Sequence, residues 1–89
     1  MAKYLAIHPV GSDLTLEGGT PLAKSIKAHL TADAYWVGSI YVPETGGLYC
    51  TWDAKDADAI RKVLAVAAPD LPTEGPYPIA MHIYSEDFR

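Results

Sequence analysis

The sequence predicts a small α+β domain in the order β-α-β-β-α-β, and three observations carry that prediction. Trp36 to Val42 and Leu48 to Trp52 are rich in aromatic and β-branched residues, which suit a pleated, half-buried surface. Pro43-Glu44-Thr45-Gly46-Gly47 between them is turn-forming, so the two runs read as a hairpin. A helical apolar pattern stands on each side of the hairpin, and a strand-like run lies towards each end of the chain.

Taken in order, Lys3 to Val10 alternates weakly and reads as the first strand, with Pro9 ending it or marking a bulge. Residues 11–19 read as a loop. Thr20-Pro21 is a helix start, because threonine can cap free N–H groups and proline is tolerated at the first helical position. Leu22, Ile26, His29 and Leu30 continue it, and it fades near Thr31 to Asp33. The hairpin strands are Tyr35 to Val42 and Leu48 to Trp52. Asp53 to Asp58 opens the second helix with acids that suit its dipole, Ile60, Val63, Leu64 and Ala67 form its apolar face, and Pro69 stops it. Pro69 to Pro78 holds four prolines and a glycine and reads as an extended loop. Ile79 to Tyr84 is then the fourth strand, and Ser85 to Arg89 a polar tail.

Right-handed crossovers and short connections leave few topologies for this order. The expected result is a ferredoxin-like sandwich: an antiparallel sheet in the order 4-1-3-2 with both helices on one face. The other face is then open to solvent, a ligand or a second subunit. Alternation assigns Leu5 and Ile7 of the first strand and Ile79, Met81 and Ile83 of the fourth to the helix side. Tyr4, Ala6 and His8, with Ala80, His82 and Tyr84, then belong to the open face. In the hairpin, Leu48, Cys50 and Trp52 are expected inward. Tyr49 and Thr51 are expected outward, with either Ser39 and Tyr41 or Trp36 and Ile40. So aromatic an open face argues for a homodimer or a binding site.

Eighty-nine residues make one domain, 1–89, with a thin core. Eleven acidic against seven scattered basic residues, net −4, disfavour nucleic acid and an anionic membrane surface. The longest apolar run, Val63 to Pro69, is far too short to span a bilayer, and no charged-then-apolar leader opens the chain. A single cysteine excludes an intrachain disulfide. These features point to the cytoplasm.

The constellation with chemistry in it is His8 with His82. Both fall on the expected open face, on strands that are neighbours in this topology. Antiparallel pairing puts His8 opposite a residue within about two of His82, and cross-strand neighbours lie roughly 5–8 Å apart. Two imidazoles at that spacing suit nickel or another divalent transition metal, or an acid and base in a small pocket. The bland alternative is a pair of histidines at a dimer interface. A tight metal site needs three or four ligands, and Asp13, Glu17, Asp87 or a second subunit would have to complete it. Tyr4, Ser39, Tyr41, Tyr49 and Tyr84 are the binding-face residues for a small-molecule ligand. Cys50 reads as a small buried hydrophobe, His29 as a helix-flank histidine, and Asp53, Asp56 and Asp58 as caps. Gly18-Gly19-Thr20 has no lysine and is no phosphate-binding loop.

Tyr4-Leu5-Ala6-Ile7-His8, Trp36-Val37-Gly38-Ser39 with Tyr41, the turn 43–47, Leu48-Tyr49-Cys50 and Ala57-Asp58-Ala59-Ile60-Arg61 together resemble the DUF4242 family. The likeness runs over about residues 3–65. It implies a dimer of ferredoxin-like subunits, and in one branch nickel held partly by a first-strand histidine, which His8 matches. The expected function is that of a metal-binding or metal-responsive protein using His8 and His82, more than that of an enzyme. The alternatives are a small-molecule-binding protein or cofactor-independent monooxygenase-like enzyme, and an interaction module without metal.

Overall fold

The computed structural model describes residues 1–88. Its elements are β1 (Ala2–Pro9), α1 (Leu16–Ala28), β2 (Ala34–Val42), β3 (Gly47–Ala54), α2 (Ala57–Ala67) and β4 (Glu74–Pro78), followed by a 3-10 turn over Ser85–Phe88. The four strands form one sheet in the order β2-β3-β1-β4, and every neighbouring pair is antiparallel. Ile26 of α1 and Ile60, Val63 and Leu64 of α2 share one core with Ala6, Ala34, Cys50, Trp52 and Ala54 of the sheet, so both helices cover the same face. Among the described residues, no helix is long and apolar enough to cross a membrane.

Local chemistry explains most boundaries. The Asp56 carboxylate accepts from the Ala59 amide at 2.8 Å and caps α2. α1 begins a turn earlier than Thr20-Pro21 suggests. Thr15 is its cap, accepting from the Gly18 amide at 3.0 Å, and Pro21 lies inside the helix. Thr20 instead turns its hydroxyl onto the Leu16 carbonyl at 2.7 Å. In the hairpin, Gly46 takes φ +69°, a conformation that favours glycine, and its carbonyl accepts the Val10 and Gly11 amides, both at 3.0 Å. The turn is thereby tied to the end of β1.

The faces differ from the expected alternation in two strands. On β1 it is Ala6 and His8 that are buried and Tyr4 that packs on the core, leaving Leu5 and Ile7 on the outer face. Both sets on this strand hold apolar side chains, so alternation alone could not choose. Pairing with β3 decides it: Tyr4 sits opposite Trp52, Ala6 opposite Cys50 and His8 opposite Leu48. On β2 a bulge between Trp36 and Gly38 inserts one extra residue, which resets the side-chain parity. Trp36 pairs with Trp52 before it, and Ser39 and Tyr41 pair with Cys50 and Leu48 after it, so all three face the helices and Ile40 faces out. The inward assignment of Leu48, Cys50 and Trp52 holds.

The fourth strand is displaced. β4 comprises Glu74–Pro78, within the proline-rich segment, and not Ile79 to Tyr84. It is an edge strand with one neighbour, β1, where missing proline donors are tolerated. Gly75, at φ +90°, lets the backbone fold tightly beside Tyr77: a Cβ there would meet the Tyr77 amide nitrogen at 2.7 Å. Ile79 still donates to the Lys3 carbonyl at 2.9 Å, after which the chain leaves the sheet.

Trp52, 1% exposed, stands at the centre of the core between β1 and β2 partners. Trp52→Ala should cost about 3–5 kcal/mol, read as a lowered urea midpoint at unchanged slope. A loss below about 1 kcal/mol would mean that the core does not close around this side chain.

Candidate functional site

His8 is the one buried polar or charged side chain among the described residues, 1% exposed. Its Nδ1 lies 3.1 Å from the Pro72 carbonyl and 3.0 Å from the Thr73 hydroxyl oxygen. A carbonyl only accepts, so Nδ1 carries the hydrogen. The Thr73 hydroxyl spends its own hydrogen on the Leu71 carbonyl at 3.3 Å and is free to accept from Nδ1 as well. The neutral ring therefore holds a lone pair on Nε2, and Nε2 is buried without a hydrogen-bond partner among the described residues. Burial pushes the His8 pKa below its ordinary value, and the Pro72 bond only partly opposes this.

His8 lines a pocket of about 540 Å³ between α1 and the inner face of the sheet. That volume falls within the range of sites that hold drug-sized molecules. One wall is α1, through Leu22, Ala23 and Ile26; the other is Trp36, Leu48 and small residues of the hairpin. Gly38, Ser39 and Cys50 carry too little side chain to fill the space beneath α1, and Gly19 thins the helix wall. No Asp, Glu, Lys or Arg is among the lining residues.

The pocket's donor hydrogens are largely committed within the protein. The Trp36 indole donates to Ser39 at 2.9 Å, and the Ser39 hydroxyl donates to the Cys50 sulfur at 2.8 Å. The Tyr41 hydroxyl donates to the Gly11 carbonyl at 2.6 Å while accepting the Leu14 amide at 3.1 Å, which fastens the β1–α1 loop over the site. Burial raises the Cys50 thiol pKa, with the Ser39 bond opposing, so the thiol stays protonated at neutral pH and is no ready nucleophile.

The expected site residues are not brought together. His82 lies in the exposed segment after β4, its ring stacked on Tyr84 at 3.9 Å. It leaves the sheet at the Lys3 end of β1, whereas His8 is five residues further along, roughly 17 Å at strand rise. His8 and His82 therefore do not form a cross-strand pair. Of the binding-face set, Ser39 and Tyr41 line the pocket on the helix side, Tyr4 packs on the core, and Tyr84 is in the tail. Tyr49 is on the outer face, its hydroxyl 2.9 Å from that of Thr45. Among the described residues, no three or more His, Cys, Asp or Glu side chains are grouped to hold a metal. The sequence reading missed Trp36 and the α1 wall as pocket residues; the signal for them was the run of small residues Gly38-Ser39, with Ser39 opposite Cys50.

No family model matches the chain, and no curated protein matches it. Among solved structures it is similar to the crystal structure of SCO4226 from Streptomyces coelicolor A3(2), with a TM-score of 0.79 at 14% identity, over 92% of this chain and 100% of that one. At that identity the likeness is one of fold.

The neutral, buried His8 makes folding pH-dependent. Its contribution is complete above the unfolded value of 6.5 and is lost as pH falls below it, because the unfolded chain takes up a proton that the buried ring refuses. Between about pH 7.5 and about pH 5, His8→Gln should lose less unfolding free energy than the parent does. Equal losses in urea titrations of the two proteins would rule this out.

Proposed function

We propose that the chain is a cytoplasmic, ferredoxin-like protein whose helix-side pocket binds a small molecule. The supporting observation is the about 540 Å³ space lined mainly by apolar side chains, with His8 in its lining and the His8 Nε2 buried without a partner among the described residues. Large apolar pockets with few convergent polar groups are the usual form of ligand sites. The strand order and the fold likeness support the ferredoxin-like reading, and the DUF4242 resemblance belongs to the same proposal. Ala23→Phe, which fills the pocket from α1, should abolish binding of an uncharged fluorescent probe such as N-phenyl-1-naphthylamine while leaving the melting temperature within a few degrees. Undiminished probe binding in that variant would remove the pocket as the site.

Nickel binding is the second reading, favoured by one observation. A ligating histidine usually donates its other ring N–H to a carbonyl, as His8 does. Among the described residues no group of three His, Cys, Asp or Glu side chains includes it, so the ligand set would have to be completed by other groups. The small-molecule reading expects no change in melting temperature with tenfold nickel. A rise that His8→Gln abolishes would favour the metal instead.

The homodimer belongs to the same proposal, through the outer sheet face. Ile40, 69% exposed, and Tyr77, 51% exposed, are its apolar groups, and β1 contributes Leu5 and Ile7. Light scattering should give a dimer for the parent and a monomer for Ile40→Lys. A monomeric parent would end this part of the reading.

A further inference from the structure

We infer that the molecule held in this pocket is uncharged, built mainly of apolar or aromatic carbon, and donates one hydroxyl hydrogen to His8. This rests on the pocket being a ligand site and adds the chemical class of what it holds.

Charge is the first constraint. None of the lining residues carries a formal charge at neutral pH. A carboxylate or phosphate moved from water into such a space needs a cation or several free donors to replace its hydration. The donors are not free. The hydrogens of Trp36, Ser39, Tyr41 and Thr20 go to Ser39, Cys50, Gly11 and Leu16. Thr15, the remaining hydroxyl, is at the exposed rim, where it caps α1. An ammonium group fares no better, since no carboxylate lines the space.

The second constraint comes from His8. Its Nδ1–H is held by the 72–73 segment, so the ring cannot present a hydrogen from Nε2 while neutral. Nε2 is an acceptor that the folded chain leaves short of one bond. His8 lines the pocket while Nε2 itself is buried, so a donor that reaches it from the pocket completes its bonding, and meeting a buried unsatisfied acceptor discriminates more strongly than forming one more exposed hydrogen bond. Indole, leucine and isoleucine surfaces from Trp36, Leu22, Leu48 and Ile26 line the same space. A hydroxyl on a fused or substituted ring matches the set: the ring meets the apolar walls and the hydroxyl meets Nε2.

A series of three probes tests this on the unaltered protein: 2-naphthol, 2-methoxynaphthalene and 2-naphthoate, titrated calorimetrically at neutral pH. The expected order is 2-naphthol tightest, the methyl ether about tenfold weaker, and the carboxylate weakest or undetectable. In His8→Phe the advantage of naphthol over its ether should vanish while both still bind. Should that variant fail to fold, the order of the three probes on the parent decides alone. Naphthoate binding as tightly as naphthol, or the ether matching naphthol, overturns the inference and leaves the pocket as a ligand site. If none of the three binds, or if Ala23→Phe binds naphthol as well as the parent does, the small-molecule reading falls and takes the inference with it.

Discussion

The bond from His8 Nδ1 to the Pro72 carbonyl is the constraint on which the rest of this small domain is arranged. A histidine on the inner face of a central strand is costly to bury unless its polar atoms find partners. The chain supplies one by drawing the segment after α2 back to the Pro9 end of β1. That return sets where β4 begins, since Glu74 follows Thr73 directly and pairs beside Ile7. The same bond determines which ring nitrogen is protonated. Edge strand, loop path and lone-pair direction thus share one cause.

The two helices meet the sheet differently. α2 brings Ile60, Val63 and Leu64 onto a floor that includes Ala6, Ala34 and Ala54, where small side chains allow close approach and Trp52 fills what remains. α1 contributes only Ile26 to the fully buried set. Across the pocket from its first turns, Gly38, Ser39 and Cys50 carry small side chains that leave space between the larger Trp36, Tyr41 and Leu48. The pocket follows from that asymmetry: one helix is packed down and the other is held off. Tyr41 keeps the loop before α1 in place through two hydrogen bonds, so the held-off helix has a defined approach.

The order of elements was legible because it rests on local chemistry: the hairpin, the Asp56 cap and the amphipathic second helix each declare themselves within a few residues. The face of each strand was legible only where the alternation was one-sided, as in Leu48, Cys50 and Trp52. It failed on β1, where Tyr4 and Ala6 compete with Leu5 and Ile7, and on β2, where a bulge that no residue type announces resets the parity. The fourth strand was hidden by Pro76 and Pro78, which argue against a central strand and are compatible with an edge. His8 was visible as a candidate, but its partner was not: a backbone carbonyl 64 residues away leaves no trace in side-chain spacing.

That partner also bears on what His8 can do. In a hydrolytic triad the second ring nitrogen faces a carboxylate, whose charge stabilises the imidazolium formed when the first takes a proton. Here it faces a neutral carbonyl and a hydroxyl, and no carboxylate lines the pocket. A proton taken up at Nε2 would leave a buried cation with no counter-charge, which the depressed pKa of His8 already reflects. The geometry therefore suits a ring that accepts a hydrogen bond and does not remove the hydrogen. Cys50 points the same way, its thiol kept protonated by burial. Burial thus acts on both groups alike, disfavouring the imidazolium at His8 and the thiolate at Cys50.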